Sequence, residues 1–271
     1  MKTQFVSKLV ILALGLTTSL TSFGSAMVQI DQDRHLITVK GEIIFYGPLA
    51  SEEVAQKAAT EVQTYWNGGT DPTPATQYFT TLVKGNKFQV VFEITHQVVS
   101  VADAAAMQKS NPGAELTFIQ VLQGVAANGD RSYMTGLGSN QGVWYLSDNL
   151  GLSSTTAHEY GHGLGLDHPM EGDWRGRGQP AIMCPRGTIV DADFQYTPTA
   201  PAGGPGGTMS PYKRKVVQWD INNLQFGKLA FDSAGKAALN KALDETPWSK
   251  DPTESLFESL LPQQHTVGRV Y

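Results

Sequence analysis

Cysteine is nearly absent: the chain has one, Cys184, in 271 residues, so an internal disulfide is excluded. A domain of this length without a disulfide must be held by core packing, by a metal, or by both. Basic runs are missing too. With 20 Lys and Arg against 25 Asp and Glu the formal charge is −5, which argues against nucleic acid as a partner. No apolar stretch approaches the roughly 20 residues that span a bilayer, so a stable membrane anchor is not expected. Repeats and long low-complexity tracts are lacking, which excludes a solenoid. Histidine is also scarce, at six residues, and three of them fall between positions 158 and 168.

The first 26 residues have the layout of a secretory signal. Lys2 and Lys8 supply positive charge, residues 9–16 are apolar, and Ser22, Gly24, Ser25 and Ala26 offer small side chains before a cleavage point. With no cysteine near that point, lipidation is not expected. The reading predicts export, to periplasm or medium, of a single domain over 27–271, about 245 residues long. It is expected to act as a monomer.

Hydrophobic periodicity then predicts a strand over 36–46, ended by Gly47-Pro48. Ser51 can cap a helix carrying Glu52 and Glu53 in its first turn, with Val54, Ala58, Val62 and Tyr65 or Trp66 on its apolar side and Asn67-Gly68-Gly69 as its stop. Proline at 72 and 74 marks a loop. A strand over 87–101 places Phe88, Val90, Phe92 and Ile94 on one face; its His96 has no companion ligand and reads as an ordinary strand residue. A short helix at 102–108, a turn at 111–113, a strand at 115–122, a short strand at 131–135 and a firmer one at 143–146 follow.

Next comes Thr156-Ala157-His158-Glu159-Tyr160-Gly161-His162-Gly163-Leu164-Gly165-Leu166-Asp167-His168. On a helix, His158 and His162 lie one turn apart on one face with Glu159 beside them. Gly165 can take positive φ, ending the helix and swinging His168 back toward the first two rings. Three imidazoles leave a fourth position open, the pattern of a catalytic zinc, and Glu159 is placed to act as its general base. Asn149 or Ser153 is the expected helix cap. Asp167 is a candidate hydrogen-bond acceptor for a ligand imidazole.

This run resembles the metzincin consensus H-E-x-x-H-x-x-G-x-x-H, and Ala181-Ile182-Met183-Cys184-Pro185 resembles the Met-turn that follows it; together they are most similar to the matrixin-like branch. The resemblance implies an α+β zincin fold. A twisted mixed sheet, a packing helix and the zinc helix would form an upper lobe at about 36–165. An irregular and helical lower lobe would occupy about 166–245, with a tail over 246–271. It implies one catalytic Zn2+ on His158, His162 and His168, with Met183 as an apolar floor beneath them. Residues 131–137 would be the edge strand above the metal, where an extended substrate can add itself. Other family members carry a tyrosine two residues beyond the Met; Pro185 excludes that ligand. Matrixin loops also suggest calcium at Asp130 and Asp148, a weak expectation without an Asp-rich loop. Cys184 reads either as a small buried hydrophobe or as a thiol near the metal. Residues 213–224 resemble a C-terminal helix, and 234–243 is a further helical pattern.

The expected activity is zinc-dependent hydrolysis of peptide bonds in proteins. Two alternatives stay open: an amide hydrolase acting on peptidoglycan peptides, and a zinc-binding toxin or binding module without catalysis. Only about ten residues separate the expected cleavage point from the strand at 36, too few for a folded prodomain. Control would then fall to a separate inhibitor protein, to residues 27–35 lying in the cleft, to a freed ammonium docked inside the fold, or to none.

Overall fold

The computed structural model describes residues 26–69, 79–111 and 116–239. The expected signal segment before Ala26, the loop at 71–74, residues 112–113 and the tail at 246–271 lie outside them. Among the described residues no helix is long and apolar enough to cross a membrane.

The class is α+β, as expected, and its frame is a mixed sheet. Strand β2 (Leu36–Tyr46) runs through its centre because it can serve two cores at once. Ile37, Val39, Ile43 and Phe45 alternate onto one face, while Ile44 and Tyr46 point to the other. Parallel to β2 lie β4 (Asn86–Val98) and β5 (Leu116–Leu122), and β7 (Gln141–Tyr145) continues beyond β5. Strand β3 (Thr80–Val83) closes one side, and β6 (Tyr133–Met134) closes the other, antiparallel to β7. The expected strand at 131–137 is thus an edge strand, but only two residues long.

Helix α1 (Glu52–Trp66) links β2 to β3 and packs on the larger core. Its cap is as the sequence predicts: Ser51 is extended and its hydroxyl accepts the Val54 N–H at 3.3 Å. Phe88, Val90 and Phe92 of β4 share that core with Val62 and Trp66. Helix α2 (Val101–Ser110) covers the opposite face over Ile44, Tyr46 and Phe118. His96 on β4 pairs with Glu52 at 2.9 Å, an ordinary strand histidine.

Several expectations are corrected. The chain does not first enter the sheet at 36, because β1 (Met27–Asp31) pairs antiparallel with β2. Residues 27–31 are therefore sheet and not a free arm able to lie in a cleft. Of the helix expected at 234–243, residues 240–243 lie outside the described residues, and the rest carries a strand, β8 (Lys236–Ala238), paired with β1. Alanine and lysine favour helix locally, but the open edge of β1 offers a hydrogen-bonded partner, and Gly235 at φ +75° turns the chain into it. The helix expected from 213 is shorter. After a 3-10 turn at Pro211–Lys213 the chain is extended, and α4 spans only Gln218–Asn223. Lys215 N–H is bonded to Pro180 O at 3.0 Å, which draws this stretch along the segment before Met183 and out of helix.

Candidate metal centre

Helix α3 (Thr155–Gly163) carries the first two histidines. Nine residues with two glycines make a poor helix in isolation, so its ends are fixed from outside. Neither Asn149 nor Ser153 caps it. The cap is Glu61 of α1, whose buried carboxylate accepts the N–H groups of Ser153 (3.1 Å) and Thr156 (2.9 Å) and the Thr156 hydroxyl (2.6 Å). A carboxylate there complements the positive end of the helix. Beside it the Trp66 indole donates to Ala157 O at 3.1 Å.

At the other end Gly165, at φ +90°, produces a Schellman turn: Gly165 N–H reaches His162 O at 2.9 Å, and Leu166 N–H reaches Gly161 O at 3.0 Å. This turn returns His168 to the first two rings. The Nε2 of His168 lies 3.1 Å from that of His162 and 3.2 Å from that of His158. His158 Nδ1 sits 2.7 Å from Ile182 O, and His162 Nδ1 sits 2.8 Å from Leu166 O. A carbonyl only accepts, so a proton on each Nδ1 satisfies it and leaves each Nε2 a lone pair; at His158 the Arg214 Nη1 also reaches Nδ1, at 2.9 Å. The Nε2 of His168 faces the same point, where a cation would be met by all three rings. Two zinc–nitrogen bonds of about 2.05 Å at a tetrahedral angle place their nitrogens about 3.3 Å apart, close to the spacing seen. Among the described residues these three form the one cluster arranged to hold a metal ion.

Burial lowers the basicity of all three rings. His158 is held well below its ordinary value, by burial first and then by Arg214; His162 falls to about 4, by burial and by His168; His168 is lowered less. Each therefore remains a neutral, ligand-competent imidazole at neutral pH. Glu159 is 7% exposed, and burial pushes its carboxyl up to about 8 against the opposing charge of Arg214. The edge strand β6 packs against α3.

Beneath α3, residues 181–184 form a turn closed by Cys184 N–H to Ala181 O at 3.0 Å. Met183 is fully buried and its Sδ lies against the Cα of Gly161, so it underlies the helix that bears the ligands. Cys184 is packed with Trp174, Ala181, Val190 and Met209, and burial pushes its thiol up to about 12. It is a buried hydrophobe, and the reading as a thiol near the metal is corrected. Asp167 does not orient a ligand ring either: its Oδ1 accepts the N–H of His168 at 2.7 Å. Nor does Asp148 suit calcium. Its carboxylate accepts Ser132 N–H at 2.7 Å and the Arg186 guanidinium at 2.9 Å, tying the edge strand to the turn after Met183.

Three buried polar residues at this site have no part in the sequence motif. Glu61 was detectable in principle, since it falls on the apolar stripe of α1 between Ala58 and Val62. Asp220 of α4 accepts the N–H groups of Ile182 (3.3 Å) and Met183 (3.4 Å), holding the turn from below. Arg214 is 2% exposed and touches His158. Nothing in the basic run 213–215 distinguishes it from its neighbours. No family model matches the chain, and no curated protein matches it.

Proposed function

We propose that the chain is an exported zinc-dependent endopeptidase of the metzincin type, nearest the matrixin-like branch, acting on peptide bonds in proteins. The observation that carries this reading is the convergence of the three Nε2 atoms, two of them from α3, with the Glu159 carboxyl on that helix. His158, His162 and His168 would hold the ion. Zinc bound there supplies a Lewis acid for a substrate carbonyl and brings the pKa of a coordinated water toward about 7.

The protein's own residues provide the rest. Glu159 follows the first histidine on α3, from where it can take a proton from the attacking water and return it to the departing amine. Carbonyl bonds at Nδ1 fix the tautomers of His158 and His162 without a carboxylate. The short edge strand β6 offers main-chain groups to an extended substrate, whose scissile carbonyl is thereby brought over α3. Residues 1–26 would direct export.

The test is cleavage of a denatured protein by the purified chain, with purified peptidoglycan assayed in parallel. Protein cleavage that is lost on chelation, restored by zinc and abolished in Glu159→Ala supports the reading. Release of amino groups from peptidoglycan alone would move the substrate to cell-wall peptides. A Glu159→Ala variant that keeps zinc and full biological activity would replace the hydrolase with a binding module.

A further inference from the structure

Arg214 lies on the extended segment between the 3-10 turn at Pro211–Lys213 and α4, with its guanidinium turned into the protein. Its Nε donates to Ser154 Oγ at 2.9 Å and its Nη1 donates to Cys184 O at 2.8 Å. The same Nη1 lies 2.9 Å from His158 Nδ1. A guanidinium only donates, so Nδ1 faces both this donor and the Ile182 O acceptor; ligation through Nε2 keeps the proton on Nδ1 and directs it to Ile182 O, with the arginine packed at the same edge of the ring. One rigid fork thereby joins the residue before α3, the residue after Met183 and the first histidine.

Ser154 shows how closely that junction is specified. It is buried and left-handed at φ 63°, a conformation uncommon outside glycine, and its hydroxyl also donates to Pro211 O. The neighbouring Lys213 points elsewhere, to the carbonyls of Asp193 and Gln195. A buried guanidinium without a direct carboxylate partner is costly, and its hydrogen bonds here all serve geometry.

From this arrangement we infer that Arg214 is a positioning residue of the metal centre. It holds the His158 ring against Ile182 O so that Nε2 points at the other two imidazoles, and zinc affinity depends on it. The inference rests on the zinc reading above.

The experiment uses the full chain and its Arg214→Met and Arg214→Lys variants. Zinc affinity is read by competition with a chromophoric chelator, the ligand field from the visible spectrum of the cobalt-loaded protein, and folding from melting of the zinc-free forms. Arg214→Met should bind zinc about 10- to 100-fold more weakly and shift the cobalt bands, as loss of groups that orient ligands does. Arg214→Lys keeps the charge and one donor and should recover part of both. A methionine variant that melts lower yet retains wild-type zinc affinity and cobalt spectrum would reduce Arg214 to a stabilising residue and overturn the inference. Should it fail to fold, Ser154→Ala, which removes the Nε acceptor, must show the same direction in both readouts; wild-type values there overturn it equally. A wild-type chain that binds no zinc refutes the hydrolase reading and this inference together, whereas zinc-binding variants indistinguishable from wild type refute this one alone.

Discussion

Gly161→Ala tests whether Met183 is clamped beneath α3. In an ordinary helix interior the change stabilises by about 1 kcal/mol, because alanine has less backbone freedom to lose. Here a Cβ would overlap Met183 Sδ and come within 3.2 Å of Trp66 Cζ2. Both side chains are fully buried, so neither has solvent to move into. Overpacking of this kind costs about 1–3 kcal/mol, so the helix-propensity gain is cancelled or outweighed and the net expectation is a loss of about 0–2 kcal/mol. Met183→Ala alone should cost about 2–5 kcal/mol through the cavity it leaves. In that background the Gly161→Ala methyl enters free space, and its effect should reverse to a gain of up to about 1 kcal/mol. Urea unfolding of the four zinc-free proteins at one pH closes the cycle, with a coupling of about 1–3 kcal/mol. A Gly161→Ala protein more stable than wild type by the full helix-propensity gain, or an equal effect in both backgrounds, would refute the argument that the methionine abuts this helix.

Removing the Glu61 carboxylate should leave Ser153 and Thr156 donors buried without acceptors. Glu61→Ala is therefore expected to cost about 3–5 kcal/mol in denaturant titration and Glu61→Gln clearly less, while equal losses would deny the capping role. Burial raises the Asp220 carboxyl from the ordinary 3.8 to about 7, so between those values the folded chain holds a proton that the unfolded chain releases. Its contribution to stability thus declines as pH rises through that window, by up to about 1.4 kcal/mol per pH unit. Asp220→Asn should flatten the stability profile over this range, and an unchanged slope in calorimetry contradicts the shift. Cys184, buried with its thiol near 12, should resist a disulfide reagent at pH 8 until urea unfolds the chain; stoichiometric labelling of the native protein would show that it is accessible.

Patterns set by neighbours in sequence were legible. The i, i+4 pair His158 and His162, the positive φ of Gly165, the Ser51 cap and the alternation of β4 all follow from local geometry. What was not legible depends on distant partners. The place of Glu61 on the apolar stripe of α1 hints at burial, but its partner, the unsatisfied start of another helix, is named only by the fold. Arg214 sits between two lysines, and only the fold turns it inward. Residues 236–238 have the composition of a helix and become a strand because β1 has an edge to fill.

The cap supplied by Glu61 has a consequence for the order in which the protein assembles. The carboxylate and the turn it holds are more than 90 residues apart in the chain, as are Trp66 and the carbonyl it bonds. Helix α3 is too short to persist alone, so it gains stability only after α1 has docked and Met183 has closed from the other side. The three histidines therefore converge late, when contacts between remote segments already exist. A half-folded chain has no assembled histidine cluster, and under the proposed zinc reading any hydrolytic competence would be a mark of completed folding.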